Sequence, residues 1–298
     1  MVATRSAQRF DRLREIESLD PETEHEQIFR LVTMYEFPFD YWQSAALAFF
    51  RTFAIPSIAE LLDHAGESVD HTQKRVDDTL LVLYEMSRLG LETPEGRVYL
   101  RRMNKMHRHY EISNDDNVYT MALYIVLPVH WIRQYGWRRL TAGEERAITN
   151  YSRRLATLMG IRDVPATLEE FEDFVLRYER QHFAVTDSSV RLAEAAMHLC
   201  ADMLPGPFRR PAKPFMRRFS LALLDDGVLE AVGLPRPTRV ERTVGMSLLR
   251  ARGRLLRVMP PRADDRPHQL DLPTYPHGHT ITDVGPQWLN GKTPTDAP

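Results

Sequence analysis

The sequence predicts an all-α fold, a single domain of about ten helices followed by an extended tail. Three observations carry that expectation. Apolar residues recur at three- and four-residue spacing in segment after segment, which gathers them on one face of a helix. Capping hydroxyls stand ahead of these periodic runs, as in Thr93-Pro94, Ser113-x-x-Asp116, Thr141-x-x-Glu144 and Thr167-x-x-Glu170. The sequence has no alternating apolar run of strand length, no Asn-Gly turn set between such runs and no internal repeat.

Residues 1–20 are charged and polar and are expected to be a flexible N-terminus, with the helical domain over 21–258 and the tail over 259–298. Pro21 opens a helical pattern whose apolar face holds Ile28, Leu31, Val32 and Tyr35. Glu36-Phe37 breaks it, and Pro38 starts a helix rich in aromatic residues, including Tyr41, Trp42, Phe49, Phe50 and Phe53. Pro56 ends or kinks that helix, and Gly66 closes the short segment after it. A helix is expected over 70–89, with Val76, Leu80, Leu83 and Leu89 on its apolar side and Gly90 as the stop.

The helix opened by Thr93-Pro94 carries two histidines that are not equivalent. At 100° per residue, Tyr99, Leu100, Met103, Met106, His107 and Tyr110 fall within about a 120° arc. Arg97, Arg101, Arg102, Asn104, Lys105, Arg108 and His109 fill the rest. His107 therefore points inward and His109 outward. An unpaired buried polar group costs roughly 1–3 kcal/mol, so an inward imidazole needs a partner. A core carbonyl and a metal or haem iron both satisfy that need.

Beyond this segment, Ser113 caps the most hydrophobic helix of the chain, expected to be central and kinked at Pro128 before Trp131 and Trp137. Full capping boxes at Thr141 and Thr167 open two more helices, and Asp187 or Ser188 caps another that runs to Leu204. Pro205-Gly206-Pro207 is a break. Two further helices are expected over about 214–232 and 237–258, the last strongly basic. The tail lacks periodicity, but Leu270, Leu272, Tyr275, Ile281 and Trp288 give it apolar anchors to lie on the body.

Composition removes several function classes. The chain has 298 residues, 43% hydrophobic and 27% charged, enough for a core that encloses a cofactor. A net charge of −2 provides no overall basic field for nucleic acid. A single cysteine, Cys200, excludes an internal disulfide, covalent c-type haem and a four-cysteine cluster, and suits a cytoplasmic setting. The N-terminus has no apolar signal region, and the run from 119 to 132 is too short for a membrane span, so no integral membrane segment is expected. Glu179-x-x-His182 occurs once, whereas a di-iron bundle needs that motif twice with two further glutamates. His198 is expected to be a satisfied core histidine, and His277-Gly278-His279 is a weak metal site.

Met103-Asn104-x-x-His107-x-x-Tyr110, followed by Ile112-Ser113-Asn114-Asp115-Asp116-x-x-Tyr119-Thr120, resembles the histidine segment of the rubber oxygenase (latex-clearing protein) family, including its fungal branch of endoplasmic-reticulum oxygenases. The likeness extends from Tyr35-Glu36-Phe37-Pro38 and Phe50-Arg51-Thr52-Phe53-Ala54-Ile55-Pro56 to Tyr275-Pro276. It implies a globin-like core and makes His107 the axial ligand of a b-type haem iron. Met103 and Tyr110, on the same arc, are then expected beside the cofactor. Arg75-x-x-x-Thr79 matches a family motif on the haem's distal side, so Arg75 is expected to bring positive charge towards oxygen or a propionate, and Thr79 a hydroxyl. Where the rubber enzymes have a lysine just before this threonine, the chain has Asp78, expected to hold a distal water or act as a base. Asn104 likewise replaces an arginine. Arg51, with Thr52 beside it among phenylalanines, needs an anion, either a propionate or an internal carboxylate.

The implied function is a haem-dependent oxygenase that cleaves a carbon–carbon double bond of a hydrophobic, isoprenoid-like substrate with O2. The alternatives are a non-catalytic haem- or lipid-binding protein, and a haem peroxidase or peroxygenase assisted by Asp78 or Arg75.

Overall fold

The computed structural model describes residues 9–64, 71–201 and 209–290. Among them lie thirteen α-helices and no strand, with one isolated bridge between Pro276 and Gly278. The helices are α1 (Asp11–Glu17), α2 (His25–Leu31), α3 (Pro38–Phe53), α4 (Pro56–His64), α5 (Thr72–Leu89), α6 (Gly96–His107) and α7 (Asn114–Tyr135). They continue as α8 (Ala142–Met159), α9 (Leu168–His182), α10 (Asp187–Ala201), α11 (Arg209–Leu223), α12 (Asp226–Ala231) and α13 (Arg239–Val258). A π-helical turn, Val32–Glu36, joins α2 to α3, and a short 3-10 turn, Gln287–Asn290, ends the described tail.

α7 is the axis of the molecule. It is buried nearly all round, through Tyr119, Leu123, Ile125, Val129 and Ile132 among others, so it has no solvent face to orient it. α3 lies along it, and α8, α9 and α13 pack against its other sides. One core joins α2, α3, α5, α7, α8 and α9; a second joins the far side of α3 to α4, the end of α7 and α10–α13. Each large apolar side chain fully buried in these cores contributes about 1.5–3 kcal/mol. Glu36, at the π-turn, is buried against Arg138, which also grips the buried Glu144 of α8.

The helix expected to be kinked at Pro128 runs through it from Asn114 to Tyr135. Pro128 has no N–H for the carbonyl of Tyr124, four residues earlier, and the hydroxyl of Tyr41 on α3 supplies the missing donor at 3.2 Å. The expected flexible N-terminus is instead helical from residue 11, with Ile16 buried and Arg9 stacked on Trp137. Thr167 caps Glu170, yet the Glu170 carboxylate bonds Ala166 N, so the expected full box is half of one. A complete box stands at Thr238 and Glu241, where none was expected. Thr186, not Asp187 or Ser188, caps α10, because Ser188 is turned to Asp63. The helix expected over 214–232 is two helices, split by Asp225, which caps Val228 N at 3.1 Å. Gly66 and Pro205-Gly206-Pro207 lie outside the described residues.

The tail lies on α5 and α6. His268 N donates to Met34 O, Tyr84 to His268 O, and Thr274 N to Asp77. Arg102 of α6 donates to the carbonyls of Val284 and Thr282 and to the Asn290 side chain. No single helix among the described residues is long and apolar enough to cross a membrane; α3 and α4 reach that length only as a pair bent by 97°.

Candidate active site

The turn before α6 places its histidine. Thr93 Oγ1 accepts from Gly96 N at 3.0 Å, the capping role its sequence position suggests, although the helix starts two residues later than Pro94. A Cβ on Gly96 would lie 1.7 Å from the Gly90 carbonyl oxygen, so the two chain segments meet only because residue 96 is glycine. At the far end of α6, His107 is half-buried, with Nδ1 sealed from solvent and without a hydrogen-bond partner among the described residues. Burial first, and the charge of Arg75 second, push its basicity down to about 4. The ring is therefore neutral near pH 7, the state in which an imidazole binds a metal.

Arg75 on α5 is near enough for its charge to act on His107. Its Nη1 donates to Thr79 Oγ1 at 2.6 Å, and that hydroxyl donates back to the Arg75 carbonyl at 3.0 Å. Four-residue spacing on a helix accounts for the pair. Among the described residues Arg75 has no carboxylate partner, although it is half-buried. Its charge also reaches Tyr124 of α7, whose phenol burial pushes up to about 12. Tyr124 thus keeps its proton near neutral pH. Sequence reasoning passed over it as one more residue of an apolar helix; Pro128, four positions on, was the available signal.

The other expected site residues fall in several parts of the fold. Asp78 is buried and committed to the tail, accepting from Lys74 Nζ at 2.7 Å, from Gly285 N at 3.0 Å and from the Tyr275 hydroxyl. It has turned from the Arg75 side of α5 because a carboxylate inside the fold requires donors, and the tail supplies them. Arg51, for which a propionate and an internal carboxylate both stood open, pairs with Glu179 and Asp225. Thr52 donates to the Phe49 carbonyl at 2.8 Å and is buried. Met103 is buried on the His107 side of α6. Tyr110 is half-buried near Trp288, with ring centroids 6.5 Å apart.

His109 is exposed and packs against Trp288, with ring centroids 4.0 Å apart and the planes tilted by 30°. His198, expected in the core, is exposed on α10 because the periodic burial falls on Ala193, Ala196 and Met197. His182 bonds the Tyr178 carbonyl at 2.9 Å, and His279 the Tyr99 hydroxyl at 3.0 Å. No group of three or more His, Cys, Asp or Glu side chains among the described residues could hold a metal ion.

Fold and site together define an all-α protein in which, among the described residues, a buried imidazole nitrogen without a partner on α6 lies within the electrostatic reach of an arginine without a carboxylate on α5. Residues 41–258 match the family model of the ER-bound oxygenase mpaB/B'/rubber oxygenase catalytic domain. The chain belongs to that family of oxygenases, as its histidine segment implied. It is 26% identical to ER-bound oxygenase mpaB' of Penicillium brevicompactum, over 86% of this chain and 76% of that protein. It is 28% identical to ER-bound oxygenase mpaB of Penicillium roqueforti, over 72% of this chain and 78% of the relative.

Proposed function

We propose that this chain is a haem b-dependent oxygenase that uses O2 to cleave a carbon–carbon double bond in a hydrophobic, isoprenoid-like substrate. The observation that carries the reading is the buried Nδ1 of His107, without a partner among the described residues, within the electrostatic reach of an Arg75 that likewise has no carboxylate there. One histidine is too few for a bare ion, since protein-only sites use three or four donors. A haem brings four nitrogens of its own and asks the protein for one axial side chain and for cations near its propionates. His107 suits the first requirement and Arg75 the second.

The bound haem would supply the iron at which O2 is activated. The chain's own share lies in what surrounds it. His107 is held neutral and unprotonated, ready to act as a ligand. Arg75, steadied by Thr79, keeps a positive charge in the site. Tyr124 retains a phenolic proton that it can donate in a hydrogen bond. Met103 and the apolar residues of α7 exclude water and favour a hydrophobic substrate. Asp78 takes no part in this reading, and its commitment to the tail withdraws the carboxylate that a peroxidase would use.

Absorption spectra of the full chain reconstituted with haem test the assignment. His107→Ala should lose most of the Soret band and His109→Ala should keep it. Loss in the His109 variant with retention in the His107 variant would overturn the ligand. O2 uptake with an isoprenoid substrate then separates an oxygenase from a haem carrier.

A further inference from the structure

α13 presents an arrangement that packing within the molecule does not explain. Its inner face docks through small residues: a Cβ on Gly253 would lie 2.5 Å from the Tyr135 carbonyl oxygen, and Gly245 sits against Ala222 and Phe219. Leu249, between them, is buried. The helix is thereby seated close to the body, which leaves its outer half in solvent along the whole length, about 30 Å for twenty residues. That outer half is not polar. Val240 is 71% exposed, Val244 46%, Leu248 49%, Leu255 59% and Val258 68%.

At 100° per residue these five side chains fall within about an 80° arc, so they form one stripe and not scattered exposures. Arg239, Arg250, Arg254 and Arg257 are exposed along one edge of that stripe. The guanidiniums of Arg239, Arg254 and Arg257 have no ion-pair or hydrogen-bond partner among the described residues. In a chain of net charge −2 this is a local concentration of uncompensated positive charge. Continuous apolar stripes of this kind are rare on monomeric surfaces unless something covers them.

We propose that the outer face of α13 is a docking surface for an anionic lipid bilayer, with the helix lying flat in the interface. The segregation into an apolar stripe and an arginine edge is the pattern that suits such a surface: the valines and leucines enter the acyl boundary while the guanidiniums reach the headgroup phosphates. A partner helix or a second copy would take the apolar stripe but gives no role to three arginines without acidic partners. Neighbouring α11 exposes Phe215, 54% accessible, as a further apolar side chain.

Sedimentation of the full chain with phosphatidylcholine vesicles, with and without phosphatidylserine, tests this. The chain should pellet with the phosphatidylserine vesicles, and raised salt should weaken the association. Leu248→Glu/Leu255→Glu and Arg250→Glu/Arg254→Glu/Arg257→Glu should each lower the bound fraction roughly tenfold or more while leaving the thermal melt unchanged, since all five side chains are exposed. Failure of the parent chain to pellet with anionic vesicles, or parental binding by both variants, would overturn the proposal. So would a lipid-free dimer that Leu248→Glu/Leu255→Glu dissociates, because the stripe would then be a self-interface.

Discussion

The hydroxyl of Tyr41 and the carbonyl of Tyr124 meet at 3.2 Å because Pro128 cannot donate to that carbonyl. The contact lets the central helix pass through a proline without breaking, and it fixes the backbone of Tyr124 beside Arg75. Tyr41→Phe should therefore cost about 1–3 kcal/mol of stability in urea denaturation. In a Pro128→Ala background, where the substituted residue has an N–H to donate to the Tyr124 carbonyl, the same change should cost clearly less. Equal costs in the two backgrounds would show that the hydroxyl does not compensate for the proline.

Gly96 controls where α6 begins, and through it where His107 ends up. With the Gly90 oxygen 1.7 Å from where a Cβ would stand, Gly96→Ala must push apart the turn between α5 and α6. A loss of about 3 kcal/mol or more in thermal unfolding is expected, at the upper end of overpacking costs. A melt indistinguishable from the parent would mean the turn has room that its geometry denies.

Attachment of the tail is expected to depend on pH through His268. Burial, and then the charge of Arg262, lower its basicity from 6.5 to about 4. The detached tail binds the proton more readily than the docked one, so docking is fully favoured above pH 6.5 and weakens as pH falls towards 4. Hydrogen exchange at residues 268–276, corrected for intrinsic rates, should rise across that window. His268→Gln should flatten the dependence, and an unchanged profile in that variant would assign it to another group.

Much of the fold was legible because helices announce themselves twice, by periodicity and by their ends. Pro38, Ser113 and Thr141 each start a helix where the sequence places one, and Gly90, at φ 90°, stops α5. Inward His107 and outward His109 follow from the same periodicity. What the site expectations could not supply was the partners of polar groups that lie far apart in sequence. Asp78 reads as facing the site until Tyr275 and Gly285, about two hundred residues on, are seen to claim it. Arg51 has two plausible kinds of anion, and only the approach of Glu179 and Asp225 decides between them. Periodicity reports which face is apolar; it carries no information about which charge crosses the fold to meet another.

Arg75 is the residue on which that lesson bears most directly, because it is the charged member of the site left unmatched. A half-buried guanidinium whose only side-chain hydrogen bond among the described residues is to a neutral hydroxyl is electrostatically incomplete, and an anionic group entering the site would complete it. If that group is a haem propionate, Arg75→Leu should weaken haem binding by roughly tenfold to a hundredfold, the range of one charge-assisted hydrogen bond. Arg75→Lys should recover part of the loss, since it restores charge without the planar fork. Thr79→Val removes only the neutral partner and should change affinity by a few-fold at most. Titration of haem into each variant, followed at the Soret band, reads all three. A Thr79→Val loss as large as that of Arg75→Leu would mean that the pair acts by packing, and an Arg75→Leu variant with parental affinity would show that the arginine faces some other anion.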